Sequence, residues 1–247
     1  MKSHLAELVE RLKDVHWATD PTSSELLSKY NIEHGFLGRP PEDALRQLDP
    51  HHVKQVHGTK ITQASNLTMY DAGERPDADG IYSVEADVVA VKTADCLPVL
   101  IASTNGAFVA AVHAGWRGFT SGILINALKI AHTNQGVNSL RVVVGPAISR
   151  QKFEVGPEVV EAMQAVECGL SDEAWGLTVS KGQNDRWHVD LPVAAALQMM
   201  IAGIKPNHIE VIQSCTVTSQ NENQCLWASY RREGKACGSN WTWIRGR

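Results

Sequence analysis

Three side chains of the sequence are of the types that bind transition metals, and each lies beside a turn. They are His57 in KQVHGTK, Cys96 in KTADCLPVL and His113 in AAVHAGWRG. Each follows an apolar stretch that predicts a strand, so the ends of three strands can bring the side chains to one point. Two imidazoles and a thiolate suit zinc, and three protein ligands leave a fourth position for water or substrate. We therefore predict a catalytic zinc site formed by His57, Cys96 and His113.

Taken singly, each of these residues also fits a structural role. A free cysteine is among the most buried residue types, and a histidine at the end of an apolar strand also fits as a hydrogen-bonded core residue. The wide separation of the three along the chain differs from the closely spaced ligand pairs of zinc fingers. Their value as a site therefore depends on whether the fold brings them together.

An anion site is predicted next to His113. Arg117 follows His113 by four residues and directly precedes Gly118, and a helix is expected from about Thr120 to His132. Backbone N–H groups at the start of a helix and a planar guanidinium both favour phosphate. We count Arg117 among the catalytic residues, with a surface ion pair as the alternative.

Further polar residues are candidates for the same pocket. Arg39 and Arg231 are expected to bind substrate or phosphate. Asp79 is expected to contact the substrate or to support a metal ligand from behind. For Asp79, which lies in the turn-rich DADG sequence, a solvated turn carboxylate is the alternative. Weaker candidates at the same mouth are Asp95, Tyr230 and Arg232.

The pattern of apolar residues predicts an α/β protein. Helices are expected at residues 5–12, 120–132, 157–166 and 191–202, the last capped by Asp190. Strands are expected at residues 51–57, 107–112 and 140–144, with two more in 81–103 separated by a break at 95–98. The succession of strand, glycine turn and helix around HAGWRG is typical of functional sites.

Composition and charge exclude several classes of protein. The chain has 247 residues, of which 43% are hydrophobic, and a formal net charge of −4, which disfavours binding to nucleic acids and membrane surfaces. Five cysteines without a C-x-x-C pair are expected to be reduced thiols. The N-terminus lacks the pattern of a signal peptide, and no apolar run approaches the roughly 18 residues of a membrane span. We expect a cytoplasmic monomer or small homo-oligomer that acts on a small molecule.

Seven motifs occur in the order seen in one known family. They are QVHG, DADG, KTADCLPVL, AAVHAGWRG, GPAIS, FEVG and SYRREG. By these motifs, residues 34–247 resemble the YfiH family, whose members are also described as polyphenol oxidase or laccase-domain proteins, purine nucleoside phosphorylases and peptidoglycan editing factors. In that family the histidine of QVHG, the cysteine of ADC and the histidine of HAGWRG bind zinc, which implies His57, Cys96 and His113 here.

The resemblance also implies a fold and a set of activities. The implied fold is a single α/β domain over residues 1–247, a YfiH-like layered sandwich of β-sheets flanked by helices, with residues 1–30 as an N-terminal helical extension. The implied activities are phosphorolysis of adenosine, inosine, guanosine and methylthioadenosine, deamination of adenosine, and amide cleavage on peptidoglycan precursors. The implied partners are therefore a purine nucleoside and phosphate.

Three stretches depart from the family pattern while the metal triad is intact. The glycine-rich stretch after an early F-x-x-R motif is shortened to HGFLGRPPED, in which Arg39 matches the motif's arginine. Two further stretches read GPAISRQKFEVG and GKACGSNWTWI, where the family has additional cysteines in the first and T-G-R in the second. These departures put the substrate preference in question.

Three other functions fit parts of the sequence. A copper polyphenol oxidase, or laccase, also uses histidines and cysteine, but the ten histidines form no H-x-H pair and no methionine lies between residues 70 and 162. A metal-free hydrolase would use Cys96 as nucleophile and His113 as base. A binding protein that zinc only stabilises is the third alternative. We predict the zinc-dependent nucleoside enzyme.

Overall fold

A computed structural model describes residues 4–69, 74–165, 168–222 and 224–247. Its α-helices are α1 (His4–Leu12), α2 (Glu25–Ser28), α3 (Glu42–Leu48), α4 (Trp116–Thr120), α5 (Ile123–Asn134), α6 (Pro157–Gln164), α7 (Asp172–Thr178), α8 (Leu191–Ile201) and α9 (Tyr230–Glu233). Its strands are β1 (His16–Ala18), β2 (His34–Leu37), β3 (Ile61–Gln63), β4 (Gly80–Ser83), β5 (Val88–Thr93), β6 (Leu97–Ser103), β7 (Val109–Ala114), β8 (Leu140–Val144), β9 (Glu154–Val155), β10 (Val179–Lys181), β11 (Trp187–Val189), β12 (Ile209–Ile212), β13 (Gln220–Asn221), β14 (Gln224–Cys225) and β15 (Asn240–Arg245). No helix in this described part of the chain has the length and apolar character needed to cross a membrane.

Two packed sheets form the centre of the fold. The larger sheet has seven strands in the order β1-β12-β8-β6-β7-β4-β3, and a three-stranded sheet has the order β2-β15-β5. β5 of the smaller sheet packs against β4 and β7 of the larger one. Helices α5 and α8 pack on the larger sheet, against β7 and β12. The predicted α/β class, with sheets flanked by helices, is confirmed.

The central strands are apolar throughout because both of their faces are covered. In β6, Val99 and Ile101 join the core beneath the helices, whereas Leu100 and Ala102 join the core between the two sheets. Side chains alternate between the faces of a strand, so a strand that is covered on both sides has a continuous apolar sequence. This explains the unbroken run CLPVLIA.

Residues 51–57 are not the strand that the sequence predicts. One isolated bridge joins the segment to β5, and a second joins it to the residues just before β4. Because the segment changes its neighbour, no continuous ladder forms. His57 therefore lies in a loop instead of at a strand end.

Two other elements are divided more finely than predicted. Residues 81–103 contain three strands, since a bend at 84–87 separates β4 from β5. The range expected as one helix, 120–132, contains the last residue of α4 and then α5 from Ile123, because Gly122 has a left-handed φ of 85° between the two. The helix expected at 157–166 ends at Gln164, and position 166 lies outside the described residues.

The N-terminal region is more than the predicted helical extension. α1 and α2 are present, but His16–Ala18 form β1, which pairs in parallel with β12 at the edge of the larger sheet. Leu8 and Val15 are buried in the core beneath the helices. Residues 4–30 are therefore built into the sandwich, because their apolar side chains complete its edge, and residues 1–3 lie outside the described part.

Asp190 caps α8 as the sequence predicts. Its carboxylate accepts a hydrogen bond from the N–H of Val193 at 3.1 Å. Burial raises the pKa of Asp190, which means that folding is weakened once this group ionises.

We expect Asp190→Ala to lower the free energy of unfolding by about 1 kcal/mol, because the first turn loses its acceptor. Asp190→Asn keeps an accepting oxygen without the buried charge and should be at least as stable as the parent at pH 7. Urea unfolding curves measure both values. An alanine variant as stable as the parent would contradict the capping role.

Candidate metal centre

The loop that carries His57 is built around the carboxylate of Asp79. The backbone N–H groups of Val56, His57 and Gly58 donate to this carboxylate at 3.2, 2.8 and 2.7 Å. His57 has a left-handed φ of 61°, which residues other than glycine rarely adopt without support. Three converging N–H donors form a nest for an anion, and this nest supplies the support.

The same carboxylate orients His113. Nδ1 of His113 lies 2.8 Å from Oδ1 of Asp79, and both side chains are buried. Burial raises the pKa of Asp79, but the hydrogen bonds from His113, Gly58 and His57 outweigh burial and lower this pKa. The ionised carboxylate keeps the proton on Nδ1 of His113, so Nε2 is the nitrogen that can bind a metal once it has lost its own proton.

Cys96 lies half-buried in the turn between β5 and β6. Burial raises the pKa of its thiol, but hydrogen bonds and charges of His113 and His57 outweigh burial and lower the pKa to about 7. For His113, burial lowers the pKa, whereas Asp79 and Cys96 raise it to about 9. The metal-free protein therefore holds a thiolate beside an imidazolium near neutral pH, and the thiolate is the form that binds metal.

The two glycines of HAGWRG let the backbone pass close to this cluster. A Cβ atom at Gly115 would lie 2.7 Å from Cδ2 of His57 and 3.2 Å from Sγ of Cys96. A Cβ atom at Gly118 would lie 2.6 Å from the carbonyl oxygen of Gly58. α4 therefore packs directly against the His57 loop, and any larger residue at either position would push the two apart.

The fold brings His57, Cys96 and His113 together. Their ligand atoms lie within 4.8 Å of one another, and the two imidazole rings meet edge to face with centroids 4.8 Å apart. In the described ranges this is the one group of at least three His, Cys, Asp or Glu side chains that could hold a metal ion. Two nitrogen donors, an acidic thiol and a carboxylate behind one imidazole fit zinc.

The three donors lie in the wall of a cavity of about 550 Å³, which we call the metal cavity. Its other lining residues are Val53, Lys54, Gln55, Lys92, Thr93, Ala94, Tyr230 and Ser239. A volume of this size accommodates a small molecule such as a nucleoside. Among the weaker candidates, Tyr230 lies at this cavity.

Arg117 does not lie where the sequence analysis expects it. It is exposed, and its guanidinium stacks over the ring of Trp116 at 4.2 Å from the centroid. It is absent from the described residues that line the metal cavity. The reason is the orientation of α4, which buries Gly118 and Phe119 and so turns Arg117 towards solvent.

The other two predicted arginines are held by protein groups. Arg39 pairs with Glu233, and Arg231 donates to the carbonyl oxygens of Lys152 and Glu154 at 2.8 and 3.0 Å. Arg39 lines a neighbouring cavity of about 420 Å³. Neither arginine is among the described residues that line the metal cavity. Both guanidinium groups are therefore partly occupied by protein acceptors, and their expected contact with substrate stays a prediction.

The two predicted aspartates also have structural partners. Asp79 is fully buried and supports the ligands from behind, so its expected contact with substrate is corrected. Asp95 accepts from the hydroxyl of Thr216 at 2.5 Å and from the N–H of Arg231 at 2.6 Å, which ties the Cys96 turn to the C-terminal segment. Arg232 donates to the carbonyl oxygen of Thr216 at 2.8 Å and strengthens the same connection.

Sequence reasoning missed five polar residues of the cavity wall, which are Lys54, Gln55, Lys92, Thr93 and Ser239. The signal for Lys92 is a lysine within the apolar run VVAVKT, at a place where a buried strand should have no charge. Gln55 carries no comparable signal, since a glutamine next to a turn is ordinary.

Comparison with known proteins assigns the family. The family model described as multi-copper polyphenol oxidoreductase laccase matches residues 43–247. The chain belongs to this family. The purine nucleoside phosphorylase YfiH of Escherichia coli is 35% identical over 185 residues, which are 74% of this chain and 69% of that protein. The expected membership of the YfiH family is thereby confirmed.

Two further proteins are similar to this chain, one in sequence and one in structure. Adenosine deaminase RL5, from an unknown prokaryotic organism, is 33% identical over 166 residues, which are 66% of this chain and 60% of that protein. The crystal structure of the Bacillus licheniformis hypothetical protein YfiH has a TM-score of 0.76 and covers 92% of this chain and 100% of its own, at 22% identity. This structural likeness confirms the YfiH-like fold.

For this YfiH-family protein, Asp79→Asn tests the support behind the ligands. The amide replaces one accepting oxygen with N–H donors, so its NH2 group must face either the N–H groups of Val56 and Gly58 or those of His57 and His113. We expect the affinity for zinc to fall about 10- to 100-fold, measured by competition with a chelator.

Asp77→Asn is the matched control, because Asp77 lies two residues away in the same motif, is exposed and pairs with Lys54. Its zinc affinity should equal that of the parent. If Asp79→Asn also bound zinc as tightly as the parent, the carboxylate would not be the support of the site.

Proposed function

We propose that this chain is a zinc-dependent purine nucleoside phosphorylase that also deaminates adenosine. The observation that carries the proposal is the cluster of two imidazoles and one thiol in the wall of a cavity of about 550 Å³. The names of the relatives support it, since one is a purine nucleoside phosphorylase and another an adenosine deaminase. The proposed substrates are adenosine, inosine, guanosine and methylthioadenosine, with phosphate as the second substrate.

His57, Cys96 and His113 would hold the zinc. When bound, zinc supplies a Lewis acid that activates an oxygen nucleophile at neutral pH. The chain's own contribution is to arrange the site in advance. Asp79 holds the His57 loop and the His113 ring in place, and the acidic thiol of Cys96 needs little free energy to lose its proton.

The number and type of these three donors also favour or disfavour the other activities that the sequence suggests. Amide cleavage on peptidoglycan precursors would use this site as well, because a hydrolytic zinc also needs three protein ligands and an open fourth position. A laccase-type oxidase needs several coppers. The single three-donor cluster in the described residues supports one metal ion and so favours zinc chemistry.

We propose the cytoplasm as the place of this reaction and small molecules as its only substrates. All five cysteines are free thiols, which supports a reducing compartment. Nucleosides and phosphate are also of the size that the metal cavity accommodates.

The direct test combines metal analysis with a screen of nucleosides, with and without phosphate. We expect about one zinc per chain in the parent. We expect Cys96→Ala to lose both the zinc and the activity, because the site loses its one thiolate ligand. Cys225→Ala is the control, since Cys225 is partly exposed in the β13–β14 hairpin, and it should keep both. Full zinc occupancy in Cys96→Ala, or several coppers with rapid oxidation of phenols in the parent, would overturn the proposal.

A metal-free cysteine hydrolase is the second candidate, because one observation favours it. The carboxylate of Asp79, the imidazole of His113 and the thiol of Cys96 form a chain in which the thiol is acidic and the imidazole basic. This is the arrangement that nucleophilic catalysis requires.

Alkylation distinguishes the two candidates. In metal-free protein we expect iodoacetamide to modify Cys96 with a midpoint near pH 7, since the thiolate fraction rises as the pH rises through the pKa of about 7. Bound zinc should protect the thiol. Cys168 is the internal control, because burial raises the pKa of its thiol to about 12 and should keep it unmodified. Metal-free protein that is fully active and is inactivated by this alkylation would establish the hydrolase instead.

A further inference from the structure

None of the arginines expected to bind phosphate is among the described residues that line the metal cavity. Arg39 pairs with Glu233, Arg231 donates to backbone carbonyl oxygens, and Arg117 is exposed over Trp116. The cations that do line the cavity are Lys54 and Lys92. The ammonium group of Lys54 already pairs with Asp77 at 3.0 Å, so Lys92 becomes the candidate.

Lys92 lies at the junction of two cavities. It lines both the metal cavity and the neighbouring cavity of about 420 Å³, and among the described lining residues it shares this position only with Ser239. The other residues of β5 are all buried, from Val88 to Thr93. A lysine in such a strand is costly unless its ammonium group reaches water or a ligand.

The backbone of Lys92 is held firmly in place. The side-chain amide of Gln55 donates to its carbonyl oxygen at 2.6 Å and accepts from its N–H at 2.8 Å. On the other side, Lys92 pairs with Trp241 of β15. Its ammonium group lies 5.4 Å from the centroid of the Trp241 ring. Gln55 and Trp241 therefore hold Lys92 at the place in β5 from which it lines both cavities.

Among the described residues, the charge of Lys92 meets an aromatic ring but no counter-charge. No carboxylate of the described residues forms an ion pair with it, and burial together with the charge of Arg75 lowers its pKa. A half-buried cation with another cation nearby is stabilised when an anion binds beside it. The site thus favours an anionic ligand, although the whole chain carries a formal charge of −4.

We propose that Lys92 binds the phosphate co-substrate at the junction of the two cavities, next to the metal cluster. This inference rests on the proposed phosphorylase function. In phosphorolysis, a phosphate oxygen forms a bond to the anomeric carbon of the ribose as the glycosidic C–N bond breaks. The bonding electron pair leaves with the purine, which takes up the proton that hydrogen phosphate loses. Lys92 contributes by holding the phosphate, with Gln55 as its positioning residue.

The test compares Lys92→Met with Lys181→Met in zinc-loaded protein. Lys181 is the matched control, because its ammonium group also lies over a tryptophan ring, that of Trp187 at 4.4 Å, and it lines neither cavity among the described residues. We expect Lys92→Met to raise the KM for phosphate by about 10- to 100-fold, the effect of losing a hydrogen bond to a charged group. Lys92→Arg should restore much of the loss.

The deamination of adenosine uses water in place of phosphate, so at equal zinc loading and subsaturating phosphate Lys92→Met should lower the ratio of phosphorolysis to deamination by about tenfold or more. Lys181→Met should match the parent in both reactions. An unchanged KM for phosphate in Lys92→Met, or an equal loss of both activities, would overturn the role of Lys92.

A titration of zinc-loaded protein with inorganic phosphate separates this inference from the proposed function. If no nucleoside is phosphorolysed, the phosphorylase proposal fails, yet phosphate binding to the parent that is lost in Lys92→Met would still establish the anion site. Phosphate binding that is equal in both proteins, or absent from the parent, would contradict the anion site at Lys92.

Discussion

A buried carboxylate is the interaction on which the site depends. Asp79 is fully buried and accepts hydrogen bonds from three successive backbone N–H groups and from one imidazole. An uncompensated charge at this depth would be strongly destabilising, so the loop and the ring must stay where their N–H groups meet the oxygens. Two of the three candidate ligands are therefore held in place by one buried side chain.

The sandwich explains why this carboxylate lies beside His113. Asp79 directly precedes β4, which pairs in antiparallel register with β7 so that Gly80 faces Val112. The N–H of His113 donates to the backbone carbonyl of Asp79 at 2.7 Å, which continues this pairing by one step. Sheet pairing thus sets the contact between the carboxylate and the imidazole. The glycines of HAGWRG then allow α4 to close over the His57 loop.

The charged residues around the site divide into structural and accessible groups. Asp95 joins the Cys96 turn to the C-terminal segment by accepting from the hydroxyl of Thr216 and the backbone N–H of Arg231. Within that segment, Arg232 donates to the carbonyl oxygen of Thr216. Charged groups committed in this way stabilise the shape of the cavity but have few hydrogen bonds left for a ligand. Lys92 differs because it lines two cavities and pairs with no carboxylate of the described residues.

The sequence by itself determined the residue types of the site and the class of the fold. The sequence pointed to His57, Cys96 and His113 because metal-binding side chains beside turns can be recognised from their neighbours in the chain. The helices and central strands followed from the periodicity of apolar residues. The family motifs added the likeness to YfiH.

The tertiary structure alone decided which polar groups face the cavity. Arg39 meets Glu233 across most of the chain, and Asp79 meets His113 across two strands, so no local pattern reveals these pairs. Side-chain partners far apart in sequence decided that Arg39 and Arg231 are committed to protein groups, while the packing of one helix face turned Arg117 towards solvent.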